Sequence, residues 1–242
     1  MIPKIIHQTW KTTRLPEKER GWHEKIKQLH PGWRIILWTD EDNLALVKDR
    51  FPHLLDSYNL LMYDIMRADI IRVMYMFIYG GYYLDMDYEL FTPFDTTISD
   101  TELLLPLTRK SGNKVRIGNS IFGSSSGHLF WKDVLDDFGR NPPVKKFFNK
   151  FEVLKLTGPD FISDVYFKAP YKYKGTLVEK NVFHPNNSLT KKKNYKIFLK
   201  QGGSRGIHHC HGSWLKKDNS LINHFSRSRA SVGGWLNKIL KL

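Results

Sequence analysis

The pattern of apolar and polar residues predicts strands and helices that alternate along most of the chain. Short apolar, β-branched runs predict strands, and apolar positions spaced by three and four predict helices. The predicted strands are 2–9, 33–38, 82–84, 102–107, 118–122 and 176–183, and the predicted helices are 17–30, one starting at 39–42, 58–79, 128–138 and 161–167. This order favours an α/β fold with a mainly parallel sheet, which binds its ligand at the carboxyl ends of the strands.

Two carboxylates, Asp85 and Asp87, follow the short strand that comes after Gly80-Gly81. Side chains at i and i+2 of an extended segment point the same way, so these two carboxylates converge. Carboxylates converge at low cost only around a cation, which predicts a divalent metal site. The alternative is a solvated strand end, because a short Asp-x-Asp pattern is weak on its own.

A second polar pair, Asp69 and Arg72, lies on the apolar helix predicted before that strand. The spacing of three residues places both side chains on one helix face. The pair could be a buried structural ion pair. It could instead supply one acceptor and one donor for the hydroxyl groups of a sugar.

Three histidines, His208, His209 and His211, stand close together before Gly212-Ser213-Trp214. Their density favours a functional site over a basic surface turn. A zinc site is a weaker alternative, because Cys210 is the single cysteine and no second cysteine pair exists. One cysteine also excludes an internal disulfide, which fits a reducing compartment.

The positive charge is concentrated in the last part of the chain. Residues 190–242 hold twelve basic residues and one acid, so they carry most of the net charge of +14. Within them, the apolar residues of a predicted amphipathic helix are Val232, Trp235, Leu236, Ile239, Leu240 and Leu242. This helix would lie on an anionic membrane or dock on the protein's own core. We expect a domain at 1–214, a basic tail at 215–242, and a cytoplasmic protein with peripheral contact at the inner face of the cell membrane.

Several segments together resemble one family, the glycosyltransferases with a "sugar-binding region containing DXD motif". The resemblance spans about residues 2–214. The segments that carry it are 2–10, 68–72, 79–87, 118–119, 157–159, 208–209 and 212–214. Their order and spacing make the resemblance specific for the family.

The resemblance implies a GT-A fold and a metal-dependent, retaining transfer of a hexose from a nucleotide sugar. The implied acceptor is a saccharide or a lipid-linked saccharide in surface polysaccharide synthesis. We expect a UDP-hexose as donor in preference to GDP-mannose. Oxygen ligands suit Mn²⁺ or Mg²⁺, and an imidazole ligand favours Mn²⁺.

The resemblance also assigns roles to individual residues. Asp87 would bind the metal directly, and Asp85 would contact the ribose or the metal through water. His208 would complete the metal site, with His209 and His211 as alternatives. The other assigned residues are Asp69, Arg72, Asp85 and Asn119 for catalysis at the sugar, and Trp10, Tyr83, Asp85, Ser213 and Trp214 for the nucleotide. Core packing is an equal alternative for Trp10.

Two other functions are compatible with parts of the sequence. A phosphohydrolase of the haloacid-dehalogenase kind also uses Asp-x-Asp after a strand, but it continues with Thr or Val where this chain has Tyr88. A basic nucleic-acid-binding protein would explain the charged tail. The nearly neutral remainder and the lack of a known nucleic-acid motif argue against it, so nucleic acid is not an expected partner.

Overall fold

A sheet with helices on its faces forms the centre of the structure. The computed structural model describes residues 1–94, 101–111, 114–144, 149–185, 191 and 194–211. The described strands are β1 Ile5–Thr9, β2 Arg34–Trp38, β3 Gly81–Leu84, β4 Tyr88–Leu90, β5 Leu103–Ser111, β6 Lys114–Ile117, β7 Ile121–Ser124, β8 Thr176–Val178 and β9 Gly206–His208. The predicted basic tail, 215–242, lies outside the described residues, so its boundary stays a prediction.

The described strands form one large sheet and one small ribbon. The large sheet has the order β2-β1-β3-β7-β5-β6, and β8 pairs with β5. Strands β2, β1, β3, β5 and β8 run in one direction, while β7 and β6 run in the other. The separate ribbon pairs β4 with β9 in antiparallel register, with Tyr88 opposite His208. The prediction of a mainly parallel α/β sheet is therefore confirmed.

Helices connect most of these strands. The described α-helices are α1 Glu17–Leu29, α2 Asp40–Arg50, α3 Leu55–Asn59, α4 Asp64–Ile78, α5 Leu129–Arg140, α6 Lys150–Leu156, α7 Pro159–Lys168, α8 Lys180–Phe183 and α9 Tyr195–Gln201. Helix α2 begins at a capping box, in which the Thr39 hydroxyl accepts from the backbone N–H of Asp42. Among the described residues, no helix is long and apolar enough to cross a membrane.

The predicted strand 2–9 begins at Ile5, and three further predicted elements differ from the structure. The predicted helix 58–79 is two helices, because Tyr63 is extended and the Arg67 guanidinium donates to the carbonyl of Leu61 in the break. The predicted strand 118–122 begins only at Ile121. The carbonyl oxygens of residues 119 and 120 instead accept hydrogen bonds from the Arg72 guanidinium and from the backbone N–H of Asp85. The predicted strand 176–183 ends at Val178, and a short helix follows that buries Phe183.

Alternation along β3 sets which face each site residue occupies. Tyr83 packs in the apolar cluster that contains α4, whereas Tyr82 and Leu84 pack in the cluster on the other face. Asp85 is two residues after Tyr83, so it continues on the α4 side. Helix α4 is buried over most of its surface, which brings its few polar side chains next to Asp85.

Gly80 and Gly81 form the turn that joins α4 to β3. Their φ angles are +62° and +90°, in the region that favours glycine. A Cβ at Gly81 would lie 2.5 Å from the carbonyl oxygen of Ile5. The turn therefore needs glycine both for its conformation and for the close approach to β1.

We expect Gly81→Ala to lower the free energy of unfolding by about 2–5 kcal/mol, since it adds left-handed strain and a clash with β1. Gly21→Ala is the matched control, because a Cβ at that position of α1 meets no atom within 4 Å. It should raise stability by about 0.5–1 kcal/mol. Urea denaturation measures both, and equal midpoints for the two variants would contradict this account of the turn.

Candidate active site

A cavity of about 920 Å³ lies at the carboxyl ends of β1, β2 and β3. Its wall includes Trp10, Tyr83, Asp85, Asp87 and His208. The volume is in the range of small-molecule and cofactor sites. The structure thus brings together the predicted metal residues and three of the predicted nucleotide residues, Trp10, Tyr83 and Asp85. Ser213 and Trp214 lie outside the described residues.

In the described part of the chain, the side chains that could hold a metal ion are those of Asp85, Asp87 and His208, which together form the metal group. One ligand atom from each residue lies within 4.8 Å of the other two. The His208 Nε2 atom is 2.8 Å from Asp87 Oδ1 and 3.5 Å from Asp85 Oδ2. Two carboxylates and one imidazole form a donor set that fits Mn²⁺ well, and Mg²⁺ less well.

The protonation of this group also fits a cation. Burial alone would lower the pKa of His208, but the hydrogen bond with Asp87 outweighs burial and raises that pKa well above its usual value. Burial alone would raise the pKa of Asp87, but hydrogen bonds from His208 and from the backbone N–H of His211 lower it to about 2. The His208 Nε2 atom therefore lies against two carboxylates, at a place where a divalent cation would replace a proton.

His209 contacts neighbours away from the metal group. Its Nε2 atom lies 3.0 Å from Glu89 Oε2, and its ring stacks on Trp22 of α1 at 4.5 Å between centroids. Glu89 is buried and also accepts from the hydroxyl of Tyr195 at 2.6 Å and pairs with Lys196. These contacts hold the chain that follows β9, so they fix the position of His208.

His211 stabilises the same segment in another way. Its backbone N–H donates to Asp87 Oδ2 at 2.8 Å, and its ring nitrogen Nδ1 lies 3.2 Å from Glu19 Oε1. The geometry therefore favours His208 over His209 and His211 as the metal-binding histidine, while the assignment of a ligand stays a prediction.

Arg72 connects α4 to the metal group. Its guanidinium is buried and donates to Asp85 Oδ1 at 2.9 Å and to the carbonyl oxygen of Asn119 at 2.6 Å. The guanidinium carbon lies 4.7 Å from the centre of the Tyr83 ring, and the Tyr83 hydroxyl donates to Asp85 Oδ1 at 2.7 Å. One oxygen of Asp85 is thus held by two donors, and the other oxygen is directed to His208.

Asp69 and Asn119 lie behind Arg72. Asp69 Oδ1 accepts from Asn119 Nδ2 at 2.9 Å and lies 3.2 Å from Arg72 Nη2, and Asp69 Oδ2 accepts from the Thr157 hydroxyl at 3.2 Å. Burial raises the pKa of Asp69 to about 7, against the opposing effect of Arg72. Neither Asp69 nor Asn119 belongs to the cavity wall formed by the described residues, whereas Arg72 does. This arrangement agrees with the buried ion pair that the sequence left as an alternative.

Several residues of the site were not predicted from the sequence. Glu89 continues the two-residue alternation of Asp85 and Asp87, so the pattern itself could have indicated it. Lys11 pairs with Asp64 at 2.7 Å, and Arg67 pairs with the same carboxylate at 2.7 Å. Lys11, Asp64 and Arg67 all line the cavity. Lys11 is 53 positions from Asp64, so this pair gave no local signal. Asp64 and Arg67 are three residues apart on α4, a spacing that could have indicated their pair.

Comparison with known proteins agrees with this geometry. Residues 16–104 match the family "Glycosyltransferase sugar-binding region containing DXD motif". "Inositol phosphoceramide mannosyltransferase 2" of Schizosaccharomyces pombe is 30% identical over 96% of this chain and 64% of its own length. "Mannosyl phosphorylinositol ceramide synthase SUR1" of Saccharomyces cerevisiae is 32% identical over 75% of this chain and 45% of its own length. The solved structure of the PaToxG glycosyltransferase is 17% identical, covers 70% of each chain and gives a TM-score of 0.52.

The fold is of the GT-A type, and the chain belongs to the glycosyltransferase family whose sugar-binding region contains the DXD motif. The family resemblance and the fold class expected from the sequence are both confirmed. The chain spans less than two thirds of the length of these two curated relatives.

We expect Glu89→Gln to destabilise the protein at pH 7 by about 1–3 kcal/mol. The neutral amide would accept weaker hydrogen bonds from the three donors than the buried carboxylate does. Burial alone would raise the pKa of Glu89, but its bonds to His209, Lys196 and Tyr195 lower it to about 2. A lowered folded pKa stabilises the protein above the unfolded value near 4.5, and this gain is lost as the pH falls toward 2.

The native protein should therefore lose stability more steeply than Glu89→Gln between pH 4.5 and pH 2, as measured by urea midpoints. Glu24→Gln, at an exposed ion pair with Lys27, is the control and should change stability little. Parallel pH profiles for native protein and Glu89→Gln would contradict the proposed role of Glu89.

Proposed function

We propose that this chain is a metal-dependent, retaining glycosyltransferase that moves a mannosyl residue from a nucleotide diphosphate to a hydroxyl acceptor. The observation that carries the proposal is the convergence of Asp85, Asp87 and His208 in a cavity with the volume of a nucleotide-sugar site. Family membership supports the reaction class.

Asp85, Asp87 and His208 would hold Mn²⁺ or Mg²⁺. A bound ion of this kind acts as a Lewis acid and neutralises the charge that develops on the leaving diphosphate. Arg72 and Tyr83 keep Asp85 oriented through hydrogen bonds to its Oδ1 atom. The cavity wall also contains basic side chains that can attract phosphate groups, Lys11, Arg67 and Lys150.

Retention of the sugar configuration follows from the family resemblance, and one local feature favours a front-side reaction. A double displacement needs a carboxylate with an oxygen available for attack on the sugar. Both oxygens of Asp69 are bonded to Arg72, Asn119 or Thr157 inside the protein. Asp69 is therefore a poor nucleophile.

The expected preference for a UDP-hexose finds no support in the relatives, which are named as a mannosyltransferase and as a mannosyl phosphorylinositol ceramide synthase. We therefore propose that the sugar of the donor is mannose. The name of the first relative couples mannosyl transfer to inositol phosphoceramide, whereas the sequence predicted a saccharide or lipid-linked saccharide acceptor. For this chain we propose a lipid acceptor with a phosphorylated, hydroxyl-rich headgroup, which the basic side chains in the cavity wall favour.

Asp87→Asn should reduce donor turnover about 100-fold or more, because it removes a charged ligand of the metal ion that would neutralise the leaving diphosphate. Hydrolysis of GDP-mannose, UDP-glucose, UDP-galactose and UDP-N-acetylhexosamine, with and without Mn²⁺, measures this. Asp136→Asn is the matched control, since Asp136 is an exposed partner of Lys132 on α5. Full activity in Asp87→Asn, or activity that does not depend on a divalent ion, would contradict the proposal. Cleavage of phosphomonoesters without nucleotide-sugar turnover would favour the phosphohydrolase.

We also propose that the enzyme works at an anionic membrane surface, where the basic residues after 190 would contact lipid headgroups. Deleting residues 220–242 should reduce flotation with vesicles that contain phosphatidylserine, and raising the salt concentration should do the same to the full chain. Unchanged flotation after the deletion would defeat the membrane role of the tail. Equal flotation with neutral vesicles would contradict the electrostatic basis.

A further inference from the structure

One lysine on the cavity wall has no charged partner among the described residues. Four lysine and arginine side chains line the described part of the cavity: Lys11, Arg67, Arg72 and Lys150. The first two pair with Asp64 at 2.7 Å each, and the third pairs with Asp69 and Asp85. The ammonium group of Lys150 forms no ion pair or hydrogen bond with any residue that the structure describes. Its charge is therefore available to a ligand.

Helix α6 holds Lys150 at a defined place on this wall. The helix begins at a capping box, in which Asn149 Oδ1 accepts from the backbone N–H of Glu152 at 3.0 Å and Glu152 Oε2 accepts from that of Asn149 at 2.8 Å. At its other end, the Thr157 hydroxyl donates to Asp69 Oδ2 at 3.2 Å. The seven residues of the helix separate Lys150 from Thr157 by about 10 Å. Lys150 thus lines the cavity at a second position, apart from the contacts that orient the metal group.

The fold itself does not need a cation at this position. Lys150 is the first residue of α6, where a positive charge opposes the helix dipole. The side chain is half-buried, and apolar packing of this helix is provided by Val153 instead. An anionic ligand in the cavity would explain a lysine that stabilises neither its own helix nor the core.

The cavity has room for a second substrate beside the donor. Its volume of about 920 Å³ is near the upper end of the range for small-molecule sites. Under the proposed function, the divalent ion at the metal group neutralises the donor diphosphate. A phosphate on the acceptor needs a cation elsewhere on the wall, and a lysine binds phosphate as a point charge.

We propose that Lys150 binds a phosphodiester on the acceptor, so that the enzyme selects phosphorylated polyols over the same polyols without phosphate. The inference rests on the proposed function, because it needs the donor to bind at the metal group. A phosphodiester of this kind occurs both in a lipid headgroup and in a free polyol phosphodiester. Lys150 would recognise the chemistry that the two share.

Steady-state transfer to glycerophosphoinositol and to myo-inositol tests the proposal, because the two acceptors share a ring and differ in the phosphodiester. The donor is the sugar nucleotide that native protein hydrolyses fastest. Native protein should use glycerophosphoinositol with a kcat/KM about tenfold or more above that for myo-inositol. Lys150→Gln should raise the KM for glycerophosphoinositol about 10- to 100-fold, change kcat less than about threefold, and remove most of this preference. Lys150→Arg keeps the charge and should retain the preference.

The matched control is Lys155→Gln, which removes the same charge from the same helix at an exposed position outside the described cavity wall. It should leave both acceptors unaffected. Lys150→Gln should melt no lower than native protein, because it removes an unfavourable charge from the start of α6. If it melts lower, Lys150→Met, which keeps the apolar length of the side chain, replaces it.

Phosphatidylinositol in phosphatidylcholine vesicles distinguishes a lipid headgroup from a free phosphodiester. A similar loss in Lys150→Gln with these vesicles and with glycerophosphoinositol would support recognition of the phosphodiester itself. A loss confined to the vesicles would overturn the proposal, because Lys150 would then act through the membrane surface.

Four other results would overturn the role of Lys150. They are equal use of both acceptors by native protein, no transfer to glycerophosphoinositol despite donor hydrolysis, equal loss with both acceptors in Lys150→Gln, and a rise in donor KM as large as the rise for glycerophosphoinositol. In each case donor turnover, and with it the proposed transferase, would stand. Absence of metal-dependent donor turnover would overturn both proposals.

Discussion

The buried guanidinium of Arg72 is the constraint on which the site depends. A charge inside a protein is tolerated only when it is paired and hydrogen-bonded. Asp69 and Asp85 supply the opposite charge, and the carbonyl oxygen of Asn119 accepts a further bond. These contacts tie α4, the end of β3 and the segment before β7 to one point. The position of Asp85 is therefore set by the interior of the protein.

The small ribbon of β4 and β9 provides the second constraint. It brings His208 to Asp87 across 121 positions of sequence. Glu89, two residues after Asp87, binds the ring of His209 in the same way, and Trp22 of α1 stacks on the His209 ring. A buried carboxylate with several donors specifies one arrangement because each unmade bond would be costly. The metal group is thus held by Arg72 at Asp85 and by the β4–β9 ribbon at Asp87 and His208.

Local patterns predicted the parts of the site that local physics determines. The two-residue period after Gly80-Gly81 predicted the convergence of Asp85 and Asp87, and helical spacing predicted that Asp69 and Arg72 share a face. The partners of His209 and His211 could not be predicted, because they lie in elements far away in sequence. The predicted helix 58–79 was wrong for a different reason, since Arg67 binds the carbonyl of Leu61, six residues earlier, and this bond stabilises the break before Asp64. The strand order could not be predicted either, because it depends on contacts between elements that no single segment encodes.

The two ends of the cavity differ in how strongly the fold constrains them. At the metal end, Arg72 and His208 belong to networks that also hold the core together, so changes there affect chemistry and stability at once. At the other end, Asp40 lies exposed in the first turn of α2, where an acid is favourable but not required. A substitution there would alter the cavity wall at small structural cost. The cavity wall near Asp40 can therefore vary while the arrangement of Asp85, Asp87 and His208 stays the same.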